Sequence, residues 1–187
     1  MDHDLVLEGW SYRLRPVTVG DAGFIYALRS GERGRFLHAQ QGDVADQVRW
    51  TEAYLRRPGD YYFVVEDVAD STPEGAVAIY DLQGTHAEWG RWVLRDGSLA
   101  AMESALLVYR CGFDILGLDE LYCRTMAANQ AVVSFHTSFG LVTAGDELVD
   151  GIPHVRQHLT AAAWPRCRDR AAALARRLAE RRAPAVP

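Results

Sequence analysis

A turn between a strand and a helix offers backbone groups that suit an anionic ligand. The stretch WVLRDGSLAA, residues 92–101, reads as the end of a strand followed by the start of a helix. The first amides of a helix lack carbonyl partners and lie at the positive end of its dipole, so they can hold a pyrophosphate. Asp96 in this turn would repel phosphate, and Arg95 can compensate for it. The candidate cofactor-binding residues here are Trp92, Val93, Leu94, Arg95, Gly97, Ser98, Leu99, Ala100 and Ala101. An ordinary strand-to-helix turn is the competing interpretation.

A second candidate is the predicted helix in NQAVVSFHTSFGL, residues 129–141. Asn129 can cap its N-terminus and can also face a bound cofactor, and the two roles do not exclude each other. Ser134 is a further candidate cofactor contact. His136 has an ordinary pKa near about 6.5 that its surroundings can tune, so it can transfer a proton. It also shares a helical stripe with Phe139, and a purely structural role stays open.

A third candidate is Glu88 in AEWGRWVL, residues 87–94, which reads as a strand. Strand alternation predicts that Glu88, Gly90 and Trp92 share one face. A carboxylate can accept a proton from a reacting group and so act as a general base. Glu66, on an earlier strand, is a weaker alternative base. An exposed strand glutamate paired with an arginine is the interpretation without catalysis.

Aromatic side chains are frequent in the first half of the chain. They suit a pocket that binds a substrate containing a sugar, because sugar rings stack on aromatic faces. The candidate acceptor contacts are Trp50, Tyr80 and Trp89. Large aromatic residues are also the usual core of a domain, so each of the three has that alternative.

The elements that must position these residues follow from periodicity and from turn signals. The predicted strands are residues 12–17, 61–68, 75–82, 86–94, 120–126, 141–149 and 154–161. The predicted helices run to about Ser30 from a cap at Thr18 or Asp21, and over residues 43–57, 98–116, 129–139 and 163–182. Residues 31–42 are a predicted loop. In the last helix, Leu174 and Leu178 are expected to form the packing face. Strands followed by alternating helices and strands indicate an α+β fold.

Composition narrows the function classes. The chain has 187 residues and a net charge of −5, and its arginine-rich end, from Pro165 onward, has 7 arginines against 2 acidic residues. The acidic remainder disfavours nucleic-acid binding and suits cationic substrates such as amines. No apolar run reaches the roughly 20 residues of a membrane span, and no signal-peptide pattern is present, so we expect a cytoplasmic protein. Three scattered cysteines and the absence of a Cys/His cluster predict reduced thiols and no metal.

The segment from Leu99 to Gly145 resembles the acyl-CoA half of GNAT-superfamily N-acetyltransferases. The resemblance extends over residues 12–164 and matches best from Leu106 to Gly145. Family members often read N-x-x-A-x-x-x-Y-x-x-x-G-F here. Asn129 and Gly140 match this pattern, and Ala131 matches when shifted by one. His136 stands in the tyrosine position and Leu141 in the phenylalanine position. In the upstream Q/R-x-x-G-x-G/A pattern, the corresponding residues are Asp96, Leu99 and Ala101, of which only the last matches.

The resemblance implies a GNAT fold, in which a mixed, mostly antiparallel sheet has two splayed parallel strands and acetyl-CoA enters the gap between them. It implies direct attack by an amine on the thioester, with the backbone near Val93 and Leu94 holding the thioester oxygen. Glu88 would be the base and His136 would protonate the sulfur. No cysteine nucleophile and no metal are required.

The sequence EWG, residues 88–90, resembles the subgroup that acetylates nucleotide-linked amino sugars, which predicts an amino-sugar acceptor. A protein or peptide α-amine is the first alternative, and a GNAT-like domain that binds acyl-CoA without turnover is the second. We assign residues 1–164 to the acyltransferase domain and residues 165–187 to an arginine-rich helix and tail. The expected partner is a small-molecule amine, with neither nucleic acid nor membrane, and homodimerisation through the tail stays open.

Overall fold

The computed structural model describes residues 3–37 and 42–182. The predicted loop therefore lies in part outside the described residues, and so does the end of the predicted tail. The eight strands are β1 (Leu7–Glu8), β2 (Tyr12–Pro16), β3 (Tyr61–Asp67), β4 (Pro73–Gln83), β5 (His86–Leu94), β6 (Glu120–Met126), β7 (Val142–Val149) and β8 (Ile152–Thr160). The five α-helices are α1 (Ala22–Ser30), α2 (Val44–Leu55), α3 (Ala101–Arg110), α4 (Gln130–Phe139) and α5 (Trp164–Arg182). Short 3-10 helices cover Val19–Asp21 and Glu32–Phe36, and a π-helical turn, Cys111–Ile115, extends α3.

All eight strands form one sheet in the order β1-β2-β3-β4-β5-β6-β8-β7. Every neighbouring pair is antiparallel except β5 and β6, which are parallel. The β5–β6 pairing covers only His86 to Glu88 against Glu120 to Tyr122, although both strands continue further. The strands therefore separate after Glu88 and leave a gap. This mixed sheet with one splayed parallel pair confirms the predicted α+β class.

The two faces of the sheet bury separate apolar clusters. On one face, α3, α4 and α5 cover a large core that includes Phe63, Trp89 and Tyr109. On the other, α1 and α2 cover a smaller cluster that includes Ile25 and Tyr54. The second cluster is smaller because polar side chains replace apolar ones where this face meets the gap, and that region is the site described below.

An extra residue in β5 changes which face its side chains occupy. Ala78 pairs with Gly90 and Ala76 pairs with Val93, so β5 has one residue more than β4 across this interval. Arg91, within it, has a φ of 50°, which is the left-handed region. Such a bulge reverses the alternation beyond it. The prediction that Trp92 shares a face with Glu88 and Gly90 is therefore wrong, because Trp92 packs against the large core beside Trp89.

The C-terminal helix α5 packs through small residues. Its buried residues are Trp164, Cys167, Ala171 and Ala175. Leu174 and Leu178 are 36% and 40% exposed, so the prediction that they form the packing face is wrong. Small side chains allow a helix axis to approach its neighbour closely, and α5 lies against α3. The Nη2 atom of Arg170 adds hydrogen bonds of 2.9 and 2.7 Å to the carbonyl oxygens of Ser138 and Phe139 at the end of α4.

This assignment of the packing face can be tested with one substitution at two neighbouring positions. We expect Ala175→Asp to lower the free energy of unfolding by roughly 3 kcal/mol or more, because it buries an unpaired charge. Leu174→Asp has the same helix propensity and the same charge change, and we expect it to cost less than about 1 kcal/mol. Urea unfolding at pH 7 measures both. Equal losses, or a larger loss at Leu174, would contradict the packing described here.

Candidate active site

A cleft of about 760 Å³ opens where β5 and β6 separate. Its walls come from β5, β6, α4 and the α1–α2 side of the sheet, including the 3-10 turn that follows α1. The cleft therefore contains both the gap between the parallel strands and the face of β4 and β5 on which Glu88 lies. Four arginines and two carboxylates line it. They are Arg29, Arg33, Arg91, Arg124, Asp46 and Glu88.

Glu88 is held by one group from each neighbouring strand. The hydroxyl of Tyr80, on β4, donates to Oε1 of Glu88 at 2.9 Å. Nε of Arg124, on β6, donates to Oε2 at 3.0 Å, and Nη2 of the same guanidinium contacts that oxygen as well. Glu88 is 3% exposed, and a carboxylate buried this far requires such partners. The hydrogen bond to Glu88 raises the pKa of Arg124. Burial, followed by the charge of Glu88, raises that of Tyr80.

The glycine of the EWG sequence gives Tyr80 its access to Glu88. A Cβ atom at Gly90 would lie 2.7 Å from the Tyr80 hydroxyl oxygen, closer than such atoms approach in proteins. Any larger residue at Gly90 would push the tyrosine away from the carboxylate. The glycine therefore has a structural role in the site that sequence spacing alone does not reveal.

Glu66, the alternative base, lies outside the residues that line the cleft. Its carboxylate receives hydrogen bonds from Nε of Arg13 at 2.7 Å and Nε of Arg15 at 2.6 Å, both on β2. Burial would raise its pKa, but hydrogen bonds from Arg15 and Arg13 outweigh that effect and lower it. This pair of arginines therefore makes Glu66 part of the β2–β3 packing, away from any acceptor.

His136 lies in an apolar part of the cleft wall. It is 3% exposed, and its ring meets Trp89 edge to face with centroids 5.1 Å apart. Trp92 is the other indole beside it, at 5.8 Å. Burial lowers the pKa of His136 to about 4, and its buried Nδ1 has no hydrogen-bond partner among the described residues. At neutral pH the ring is therefore uncharged.

The strand-to-helix turn after β5 presents free amides, as expected. Gly97 has a φ of 77°, and the first hydrogen bond of α3 runs from Ser104 N to Ala100 O. The helix starts about three residues later than predicted, so the amides of residues 101–103 precede that bond and have no partner within the helix. Asp96 is paired at 2.6 Å with Arg33 rather than with Arg95, whose own partner is Glu74 at 2.7 Å. Charge repulsion of a phosphate by Asp96 is thereby reduced.

The backbone of β5 also faces the gap. The amide of Arg95 donates to Glu74 O on β4. Successive amides of a strand point to opposite edges, so the amide of Leu94 points toward β6 and the gap. This strand edge and the start of α3 fit an elongated ligand that carries both amide-like and phosphate groups, such as the coenzyme A of acetyl-CoA.

The cleft brings together seven of the predicted site residues. They are Trp50, Tyr80, Glu88, Trp89, Trp92, Asn129 and His136. Trp89 is a core residue at 1% exposure whose indole donates to the Tyr109 hydroxyl at 2.8 Å. Asn129 caps α4 by accepting from Val132 N at 3.4 Å, which confirms its predicted cap. The residues that lie outside the cleft lining are Val93, Leu94, Arg95, Gly97, Ser98, Leu99, Ala100, Ala101 and Ser134. All but Ser134, which is exposed on α4, belong to the end of β5, to the turn after it or to the first residue of α3.

Sequence reasoning missed Arg91 and Arg124. Arg124 is two residues beyond Tyr122, the last residue of β6 that pairs with β5, and only the position of this parallel pair shows that Arg124 reaches Glu88. Arg91 occupies the bulge, for which alternation offers no signal. Its guanidinium lies 4.2 Å from the ring centre of Tyr80 and 4.8 Å from that of Tyr54.

Other chemistries find little support among the described residues. Within residues 3–37 and 42–182, no three His, Cys, Asp or Glu side chains cluster as metal ligands. In the same part of the chain, no helix has the length and apolar character to cross a bilayer. The three cysteines are free and buried, and burial raises the pKa of Cys111 and Cys123 to about 12, so neither is a thiolate at neutral pH.

Comparisons with known proteins agree with this architecture. The family model described as acetyltransferase (GNAT) domain matches residues 12–142. The solved structure of apo FdhC, described as a nucleotide-linked sugar GNAT, has 28% identity and a TM-score of 0.79, covering 90% of this chain and 97% of its own.

Two further solved structures share the fold at lower identity. A GCN5-related N-acetyltransferase from Brucella melitensis has 20% identity and a TM-score of 0.79, covering 92% of this chain and 86% of its own. Spermidine N-acetyltransferase from Vibrio cholerae, in complex with CoA and spermine, has 19% identity and a TM-score of 0.74, covering 84% of this chain and 99% of its own. A search of curated proteins found no match. The family match over most of the chain, together with the splayed sheet and its cleft, shows that the protein belongs to the GNAT family and is an N-acetyltransferase.

Proposed function

We propose that the protein transfers an acetyl group from acetyl-CoA to the primary amine of an amino sugar, preferably a nucleotide-linked one. The observation that carries the proposal is the buried Glu88 carboxylate in the cleft, at the point where the parallel strands separate. Two further observations support this acceptor. The cleft has aromatic walls at Trp50 and Tyr80, and the nucleotide-linked sugar GNAT is similar at 28% identity over 90% of the chain.

In this proposal the end of β5 and the turn after it hold acetyl-CoA, together with Asn129 and Ser134 on the α4 side. Acetyl-CoA supplies the acetyl group as a thioester. The amine nitrogen forms the new C–N bond, the C–S bond breaks, and the thiol leaves. The Leu94 amide is placed to stabilise the charge that develops on the thioester oxygen. Residues 1–164 carry this chemistry, and the arginine-rich helix of residues 165–182 supports the domain by packing on α3.

Glu88 is the proposed base. Its carboxylate accepts the proton that the amine loses, directly or through one water molecule. Arg124 and Tyr80 hold the two oxygens in fixed positions, so the lone pairs not used by these donors are the ones available to the substrate. Tyr80 remains protonated because its pKa is raised. It therefore orients the base rather than exchanging its own proton.

His136 was predicted as the acid for the departing sulfur, with packing as the alternative, and its surroundings favour packing. A histidine with a pKa of about 4 carries almost no imidazolium at pH 7, so it is a poor source of a proton. We propose that it fills the wall between Trp89 and α4 and that the thiolate takes its proton from solvent.

The other two candidates are less well supported. A peptide α-amine acceptor requires room for an extended chain, and no described feature points to one. A domain that binds acyl-CoA without turnover would not need a base in the cleft, whereas the Glu88 carboxylate lines it.

The first experiment measures binding and turnover separately. We expect CoA or acetyl-CoA, at roughly 100 times its Kd, to raise the melting temperature by about 5–10 °C, because it binds only the folded state. Thiol release with nucleotide-linked amino sugars, free amino sugars and N-terminal peptides then identifies the acceptor. The absence of any thermal shift would contradict the proposal. Faster turnover with peptides than with sugars would show that the acceptor is a peptide α-amine and not an amino sugar.

Glu88→Gln should lower kcat by about 100-fold or more while leaving the thermal shift with CoA intact, because the amide cannot accept the proton. Glu66→Gln is the matched comparison, since it also removes a buried carboxylate paired with arginine but lies outside the cleft. We expect it to keep kcat within about threefold. A larger loss of kcat with Glu66→Gln than with Glu88→Gln would show that Glu66, and not Glu88, is the base. Thermal melts of both variants check that they fold.

His136 should make the fold sensitive to acid. Its folded-state pKa of about 4 lies below the ordinary 6.5, so protons bind preferentially to the unfolded chain. The stabilisation is complete above pH 6.5 and is lost as the pH falls toward 4. Between pH 7 and pH 5 this one group accounts for about 2 kcal/mol. His136→Phe should remove that part of the pH dependence in urea unfolding.

His86→Phe is the control, because His86 is exposed, and it should leave the pH dependence as it is in the parent protein. If His136→Phe has the same pH dependence as the parent, the fold does not lower the pKa of His136. If it also lowers kcat at pH 7 by about 100-fold, proton donation replaces packing as its role.

A further inference from the structure

Arg91 is surrounded by four aromatic rings. Its guanidinium carbon lies 4.2, 4.8, 5.6 and 5.9 Å from the ring centres of Tyr80, Tyr54, Trp50 and Tyr62. Its Nη1 atom donates to the Tyr54 hydroxyl at 3.0 Å. Cations are attracted to the faces of aromatic rings, and this attraction grows when water is excluded. The rings therefore hold the guanidinium in one place, on the α1–α2 side of the cleft.

The charge of Arg91 is not balanced by a carboxylate. Among residues 3–37 and 42–182, no Asp or Glu forms an ion pair with it, whereas Arg124 pairs with Glu88 and Arg33 with Asp96. A guanidinium has five N–H donors in its plane, and contact with ring faces does not use them. Arg91 lines the cleft and is half-buried, so it offers an oriented, charged donor edge to whatever occupies the cleft.

The backbone at Arg91 is also unusual. Its φ of 50° lies in the left-handed region, where residues with a Cβ are strained. Strain of this kind costs about 1–3 kcal/mol and tends to persist where function needs the conformation. The conformation directs this side chain into the cleft from a strand whose alternation would otherwise bury it in the core.

A second cation, Arg29, lines the same part of the cleft. Burial and the nearby charge of Arg91 both lower its pKa, although the charge of Tyr62 opposes this.

Tyr80 connects this cation to the proposed base. The face of its ring lies against Arg91 while its hydroxyl donates to Glu88, so both groups neighbour one tyrosine in the cleft. A nucleotide-linked amino sugar carries its amine and its diphosphate on one sugar ring, so it can offer one group to Glu88 and the other to Arg91. We propose that Arg91 binds the diphosphate of the acceptor and thereby places the amine at Glu88. This inference rests on the proposed function, and it adds the residue that selects phosphorylated acceptors.

The test uses uridine diphosphate and thymidine diphosphate as probes, titrated by calorimetry into the full-length protein saturated with CoA. Saturation with CoA prevents the probes from occupying the CoA site. We expect at least one probe to bind, and Arg91→Met to weaken its binding by about 10- to 100-fold, as for loss of a charged hydrogen bond. Arg91→Lys keeps the charge but not the planar fork, and we expect an intermediate loss. Arg176→Met, which removes a surface arginine paired with Glu180 on α5, should change nothing.

A kinetic experiment separates positioning from folding. With a nucleotide-linked amino sugar as acceptor, Arg91→Met should raise KM by about 10-fold or more while the KM for the free amino sugar stays the same. The thermal shift with CoA should be that of the parent protein, which shows that the variant folds and that the GNAT assignment holds.

Two results would overturn the inference. One is a thermal shift with CoA but no binding of either diphosphate, in which case the acetyltransferase function stands and the role of Arg91 does not. The other is equal diphosphate affinity in Arg91→Met and the parent protein. If CoA itself produces no shift, the proposed function fails, and the same comparison of Arg91→Met with the parent protein, made without CoA, still decides the role of Arg91.

Discussion

The extra residue in β5 determines most of what the cleft contains. Before Arg91, the side chain of Glu88 lies in the cleft on the α1–α2 side of the sheet, and beyond it Trp92 joins the large core under α3. A regular strand would have placed Arg91 in that core beside Trp89, where a charge is not tolerated. The bulge thus allows one strand to supply a base, a cation and a core residue in sequence. Pairing with β6 also ends at Glu88, so the same short segment marks the start of the gap.

The proposed base, Glu88, depends on three adjacent strands. Tyr80 on β4, Glu88 on β5 and Arg124 on β6 meet around one carboxylate, and the register of the sheet brings them together. A buried carboxylate is costly unless each oxygen has a donor, and here each has at least one. Gly90 is part of the same arrangement, because only a residue without a side chain leaves room for the Tyr80 hydroxyl. The sheet therefore positions this carboxylate, whereas α4 and the 3-10 turn after α1 complete the walls of the cleft.

The sequence allowed prediction of the features that rest on local rules. Periodicity located the helices and most strands, Asn129 caps α4 as expected, and the motif around it indicated the fold. Features that rest on packing could not be predicted in this way. Alternation has no signal for an inserted residue, so Arg91 was missed, and α5 packs through Ala171 and Ala175 because close approach to α3 outweighs the larger apolar area of its leucines. The pairing of Glu88 with Arg124 requires the register of two strands that are distant in sequence.

The charge of the cleft differs in sign from the net charge of the whole chain. The net charge of −5 led us to expect cationic substrates, yet the cleft has four arginines against two carboxylates. Net charge governs solubility and long-range steering, whereas recognition depends on the groups within reach of the ligand. A polyamine carries several positive charges and no negative one, so it has no group that could pair with Arg91 in the cleft. An acceptor with an amine at one end and an anion at the other satisfies Glu88 and Arg91 together. Spermidine N-acetyltransferase, solved with CoA and spermine, shares the fold, so fold similarity alone does not assign the acceptor.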